Sequence, residues 1–328
     1  MNYLGIDVGG TNLKGAVVTE NGEVVREALR PTQAARGADI VADAIGELIC
    51  ELAAQEKLGG VGLGCPGIVD NGRGEIVYSC NLNWVKYPLR EKLKQRTGYA
   101  PELVNDANAA ALGEAIAGAA KGAHSAVILT LGTGVGGGVV MDGKLLTGYT
   151  GAASELGHMV IAADGERCSC GRRGCFESYA SATALARMTA EAMARHPESR
   201  MHEFAAAYGA VDGRAAFDAQ QAGDAAGDAV VKNYIHYLAL GVANLVNVFF
   251  PEVIALSGGV AAQGERLLAP LRAEVSAQEY GASYTAKHPR IVGCTLGYRA
   301  GMIGAALLTR NRKQETGIRK GNDCRVVP

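Results

Sequence analysis

One short grammar occurs twice in this 328-residue chain, and few folds accommodate it. Residues 3–8 form an apolar, strand-like run, Gly9-Gly10-Thr11 interrupts it, a second run passes through Gly15-Ala16-Val17-Val18, and Asn21-Gly22 is a hairpin turn signal. Residues 126–131 are again apolar, Gly132-Thr133-Gly134 breaks the run, Val139-Val140-Met141 resumes it, and Asp142-Gly143 turns it. Aligning Gly9 with Gly132 and Val17 with Val140 separates the copies by 123 positions. That spacing is too long for a solenoid repeat and suits a duplicated domain. A chain of this length also fits two domains of roughly 100–200 residues each.

Helical signals fill the intervals. Ile40, Val41, Ala44, Ile45, Leu48, Ile49 and Leu52 recur at three- and four-residue steps, one face of an amphipathic helix. Val61-Gly62-Leu63 reads as a strand ending at Cys65-Pro66-Gly67, and Leu103-Val104 as a short strand before Asn105-Asp106. An Ala-rich helix over 107–116 follows, with Asp106 expected as its cap. Residues 181–227 read as Ala-rich helix, 228–248 as a long apolar helix, 253–256 as a strand before Ser257-Gly258-Gly259, and 301–308 as a final small-residue helix.

Lys and Arg number 32 against 33 Asp and Glu, for a formal charge of -1. No basic excess is present to neutralise nucleic-acid phosphates or to hold a membrane surface. No stretch approaches the ~20 apolar residues of a membrane helix, and the start lacks a signal-peptide pattern, so the expectation is a cytoplasmic protein. Hydrophobic residues make up 48%, enough to build a core without disulfides.

Four groups of residues carry candidate chemistry. The two glycine turns let backbone N–H groups approach phosphate oxygens; near the first, Asp7 suits a water of hydrated Mg²⁺, and Thr11 or Lys14 a phosphate. Gly132, Gly134 and Gly137 also satisfy the dinucleotide spacing, but Gly138-Val139-Val140-Met141 continues as strand where that motif needs a helix. Three of the eight cysteines crowd into Cys168-Ser169-Cys170-Gly171-Arg172-Arg173-Gly174-Cys175, and His158 ten residues upstream completes the four-ligand shell of a structural zinc. Glu155 and Glu177 flank that cluster, and carboxylates held beside an imidazole suit a polyol. Asn105-Asp106 reads either as a helix cap or as a general base for phosphoryl transfer, and spacing alone does not choose.

These residues together resemble the ROK sugar kinases (repressor, open reading frame, kinase), over about residues 3–308. The resemblance rests on Asp7-Val8-Gly9-Gly10-Thr11-Asn12-Leu13-Lys14, on residues 102–114 with Asn105-Asp106-Ala107-Asn108-Ala109-Ala110, and on residues 131–138. It rests further on Glu155-x-Gly157-His158, the cysteine block through Glu177, and Ser257-Gly258-Gly259-Val260. It implies an α/β fold of duplicated actin-like (ribonuclease H-like) ATPase domains with an inter-domain cleft. The expected division is 1–118 plus about 297–310, then 119–296 with the zinc loop, then a flexible tail at 311–328. By the same resemblance Asp106 is the base for a sugar 6-hydroxyl. Asn105, Glu155, His158 and Glu177 bind ring hydroxyls, Gly67 and Asn81 close the sugar site, the glycine turns hold ATP phosphates, and Gly258 and Gly259 lie near adenosine. The implied activity is ATP- and Mg²⁺-dependent phosphorylation of glucose by a homodimer. N-acetylmannosamine, fructose, mannose or allose are the alternative hexoses, and a non-catalytic sugar-responsive regulator is a further alternative. The charge balance and a first hairpin beginning at residue 3 favour the enzyme.

Overall fold

The computed structural model describes residues 1–54 and 56–310. The tail expected at 311–328 lies outside the described residues. In chain order the elements begin with β1 (Asn2–Val8), β2 (Asn12–Thr19), β3 (Val24–Pro31), α1 (Ala38–Ala53) and β4 (Leu58–Cys65). There follow β5 (Ile68–Asp70), β6 (Glu75–Ser79), β7 (Trp84–Tyr87), α2 (Leu89–Thr97), β8 (Glu102–Asn105) and α3 (Asp106–Ala117). Next come β9 (Ser125–Leu131), β10 (Val135–Met141), β11 (Lys144–Leu145), α4 (Glu177–Ala180), α5 (Ala182–Arg195), α6 (Met201–Tyr208) and α7 (Gly213–Gln221). The series ends with α8 (Ala225–Phe249), β12 (Val253–Ser257), α9 (Glu265–Gln278), β13 (Arg290–Gly293) and α10 (Ala300–Leu308). No described helix is long and apolar enough to cross a membrane.

The chain divides into two compact units. The first comprises Met1–Ser125, Gly138–Ser154 and the described chain from Thr295; the second comprises Ala126–Gly137 and Glu155–Cys294. Residues 138–154 therefore group with the first unit, whereas the expected boundary at 118/119 assigned them to the second.

A five-stranded sheet has the order β3-β2-β1-β4-β8. Its first three strands run antiparallel, and β1, β4 and β8 run parallel. A second five-stranded sheet has the order β11-β10-β9-β12-β13, with β9, β12 and β13 parallel. Asn2 and Asn12 open β1 and β2, and Ser125 and Val135 open β9 and β10, an offset of 123 in both cases. The repeat read from the glycine turns is thus a repeat of strand order.

Each face of the first sheet is buried by a different helix. The periodic face of α1 presents Val41, Ile45, Leu48, Ile49 and Leu52, all fully buried, to a core that includes Leu4, Ile6, Leu13 and Leu63. On a second core, Tyr3, Ala16 and Val18 meet Met302, Ile303, Ala306 and Leu307 of α10. That approach is close enough to require small residues: a Cβ on Gly304 would lie 1.7 Å from the Ala109 carbonyl oxygen of α3. Glu114, 1% exposed, accepts hydrogen bonds from the amides of Ala119 (2.8 Å), Thr295 (3.1 Å) and Leu296 (2.8 Å), anchoring the chain just before α10.

Candidate active site

In the first unit the parallel strands β1, β4 and β8 end side by side, pairing Asp7 with Gly64 and Cys65 with Asn105. This register sets Asp7, near the end of β1, and Asp106, just past the end of β8, at the same edge of the sheet on either side of β4. Asn105, not Asp106, is the cap of α3: its Oδ1 accepts from the amides of Ala107 (2.9 Å) and Asn108 (3.2 Å). The sequence expectation of an Asp106 cap is corrected by one position. Asp106 is the first helical residue, and its carboxylate accepts from the Ala107 amide (2.9 Å). The Asn105 side-chain amide donates to the Gly67 carbonyl (3.1 Å), and Asn81 borders Gly10, whose Cβ would lie 3.8 Å from the Asn81 carbonyl oxygen.

Both carboxylates are more basic than ordinary aspartates. Burial pushes Asp7 up to about 6, opposed by Lys14 and assisted by the charge of Asp106. Burial also raises Asp106, against two backbone amides that hold it down. Lys14 stands opposite Asp7 in the β1–β2 register, with Nζ 3.8 Å from its carboxylate and 5.9 Å from the ring centre of Tyr298. The Asp7 carboxylate is a suitable acceptor for the water shell of a hydrated divalent ion, and the Lys14 ammonium beside it suits a phosphate oxygen.

The first glycine turn is closed by Gly9 N–H to the Asn12 carbonyl (3.0 Å). Thr32, fully buried, donates its hydroxyl to the Gly9 carbonyl (2.5 Å) and its amide to the Thr11 carbonyl (2.9 Å). Thr32 carries no local sequence signal, because it reaches the turn from the end of β3.

In the second unit the cysteine loop folds back on itself: the Cys168 amide donates to the Arg172 carbonyl (2.9 Å) and the Gly171 amide to the Cys168 carbonyl (3.0 Å). His158 Nδ1 lies 3.6 Å from Cys168 Sγ, Cys170 Sγ lies 3.7 Å from Cys175 Sγ, and the four ligand atoms fall within 4.8 Å of one another. A tetrahedron with metal–sulfur bonds of about 2.3 Å has S···S edges of about 3.8 Å, so the donor set fits zinc. Burial and the adjacent sulfurs push the Cys175 thiol up to about 12, while the Arg172 amide draws the Cys170 thiol down.

Glu177 ties this loop to the second glycine turn. Its Oε1 accepts from Ser169 Oγ (3.1 Å), with Cys168 Sγ at 3.6 Å, and its Oε2 accepts from the Val135 amide (3.1 Å). A Cβ on Gly134 would lie 2.2 Å from that Oε2, so glycine is required for the contact. The Ala182 amide donates to the Gly132 carbonyl (2.8 Å), and the Thr183 hydroxyl to the Thr133 carbonyl (2.8 Å). Glu155 precedes the short turn Leu156–His158, where its carbonyl accepts from the His158 amide (3.1 Å). Gly258 and Gly259 follow β12, and the adjoining Val260 amide reaches the Leu131 carbonyl at the end of β9 (3.4 Å).

Within the first unit Lys14 and Asp106 act on Asp7, Thr32 joins Gly9 to Thr11, Gly10 borders Asn81, and Asn105 holds Gly67. Contacts within the second link Gly132, Thr133, Gly134, His158, Cys168, Cys170, Cys175 and Glu177. Thr32 and Thr183 are the residues at these turns that sequence reasoning missed.

A family model described as the ROK family matches residues 3–312. A glucokinase of Halalkalibacterium halodurans is 38% identical over 327 residues, covering 98% of this chain and 98% of that protein. A glucokinase of Thermotoga maritima is 37% identical, covering 95% of this chain and 98% of its own length. Among solved structures, a ROK family glucokinase from Streptomyces griseus in complex with glucose and AMPPNP matches with a TM-score of 0.77 at 32% identity, covering 95% of this chain and 100% of that one.

Proposed function

The chain belongs to the ROK family, with its actin-like, ribonuclease H-like α/β fold, and we propose that it is an ATP-dependent glucokinase forming glucose 6-phosphate and ADP. The observation that carries the reading is the Asp106 carboxylate. Asn105 takes the capping role, leaving at the first position of α3 a carboxylate of raised basicity whose charge is felt by Asp7.

In this mechanism the Asp106 carboxylate accepts the proton of the glucose 6-hydroxyl as that oxygen attacks the γ-phosphorus. The bond from that phosphorus to the β–γ bridging oxygen breaks, and ADP leaves. Asn105, Glu155, His158 and Glu177 are assigned to ring hydroxyls, and Gly67 and Asn81 to the edge of the sugar site. Gly9, Gly10, Thr11 and Lys14 are assigned to phosphate at one turn, Gly132, Thr133 and Gly134 at the other, and Gly258 and Gly259 to adenosine. Asp7 would hold Mg²⁺ through its hydration shell, and the ion would supply neutralisation of phosphate charge. His158, Cys168, Cys170 and Cys175 would hold a zinc ion, whose contribution is a rigid four-ligand knot. With Nδ1 of His158 turned to the thiols, its Nε2 is left to a sugar hydroxyl. A homodimer belongs to the same reading.

The test is Asp106→Asn in a coupled assay of glucose-dependent ADP release. Turnover is expected to fall by about 10²–10⁴-fold with KM for glucose nearly unchanged. Near-normal turnover would remove the base assignment, and wild-type protein that releases no ADP with glucose would overturn the activity. A panel of glucose, N-acetylmannosamine, fructose, mannose and allose compared by kcat/KM decides the hexose, with glucose expected first.

A further inference from the structure

The second glycine turn is a set of three successive peptide groups, and each one is pinned by a partner. In a trans peptide the carbonyl and the following N–H point in opposite directions, so fixing one aims the other. The Gly132 carbonyl is held by the Ala182 amide, which aims the Thr133 N–H the opposite way. The Thr133 carbonyl is held by the Thr183 hydroxyl at 2.8 Å, which aims the Gly134 N–H likewise. In the third, the Gly134 carbonyl accepts from the Gly132 amide and the Val135 N–H is taken by Glu177. All three carbonyls are thereby spent inside the protein. The N–H groups of Thr133 and Gly134 are left without a partner among the described residues.

We propose that Thr183 is a positioning residue for the phosphoryl donor: by holding the Thr133 carbonyl it keeps the Gly134 N–H presented to a nucleotide phosphate. Of the groups that hold the turn's carbonyls, the Thr183 hydroxyl is the one side chain; the others are backbone amides that a substitution does not remove. Without it the Thr133–Gly134 peptide is free to rotate, and glycine at 134 offers little steric resistance. A rotated peptide would present a carbonyl oxygen to a phosphate oxygen, and binding would be lost through repulsion as well as through the missing donor. The first turn has a parallel arrangement, with Thr32 donating its hydroxyl to the Gly9 carbonyl and so aiming the Gly10 N–H. This inference rests on the kinase reading only for the identity of the anion.

The experiment compares wild type, Thr183→Val and Thr183→Ser, with Thr183 exposed so that none of the substitutions disturbs a core. Binding of Mg-AMPPNP and of glucose is measured separately by calorimetry, and KM for ATP and for glucose by the coupled assay. Thr183→Val is expected to weaken Mg-AMPPNP by about five- to tenfold, the scale of one hydrogen bond, and to leave glucose binding unchanged. Thr183→Ser, which keeps the hydroxyl, is expected to bind both ligands as wild type does. Wild-type nucleotide binding by Thr183→Val overturns the proposal, as does an equal loss for nucleotide and glucose or a failure of Ser to rescue. The kinase reading fails on a different result, absence of glucose-dependent ADP release from wild type.

Discussion

Asp7 shows at the scale of one side chain how a site is built against the stability of the protein around it. Its carboxyl rises from the ordinary 3.8 to about 6 because burial penalises the charge. The native state therefore binds a proton that the unfolded chain releases between those two values. The stabilisation linked to this group is complete below pH 3.8 and is lost as pH rises through about 6. Asp7→Asn removes the titration, so the metal-free variant is expected to be more stable than wild type at pH 7 by on the order of 3 kcal/mol. That advantage should vanish at pH 4, as read by urea unfolding at both values. The same variant should bind Mg-AMPPNP more weakly, and KM of wild type for MgATP should climb as pH drops from 7 to below 6. Equal stability of variant and wild type at pH 7 would contradict the desolvation account.

Among the elements, the last helix and the zinc loop carry the clearest predictions. Because a Cβ on Gly304 would sit 1.7 Å from the Ala109 carbonyl oxygen, Gly304→Val must force α10 from α3; a loss of about 2–4 kcal/mol is expected by urea unfolding. For the loop, elemental analysis of native protein should find one zinc per chain. Cys170→Ser or chelation should lower Tm and glucose affinity together, since Glu177 shares contacts with both Cys168 and the second glycine turn. Zinc-free native protein with full thermal stability would remove the metal assignment. The sequence made some of these elements legible and hid others. The paired hairpins, the face of α1 and the cysteine cluster were readable because glycine, apolar period and thiol spacing are local signals. The strand β3 was not, because its residues are largely half-buried or exposed and its alternation is weak. The helix α9 contains Pro270, which locally argues against a helix, and packing of Leu267, Leu268, Leu271 and Val275 overrides it. Asn and Asp are equally good caps in adjacent positions, so the sequence alone points to Asp106, and only the backbone dihedrals give the cap to Asn105. Thr32 and Thr183 left no trace because the turns they hold are distant in sequence.

For the whole molecule, the order of the chain and the order of the cores differ. The core formed by Tyr3, Ala16 and Val18 is completed by residues 302–307, and Glu114 collects the amides of Thr295 and Leu296. A fragment ending at residue 294 therefore keeps the α1 side of the first sheet covered and uncovers Tyr3, Ala16 and Val18 on the other side, where only α3 remains. Such a fragment is expected to bind a hydrophobic dye and to aggregate, whereas adding a peptide of residues 295–310 should reduce both; a monomeric, dye-silent fragment would contradict this. On the ribosome the same geometry sets a schedule. Synthesis at about 5–20 residues per second leaves the opening strands waiting many seconds for their closing helix. During that interval Tyr3, Ala16 and Val18 stay uncovered on the nascent sheet until α10 emerges, an apolar surface of the kind that chaperones shield.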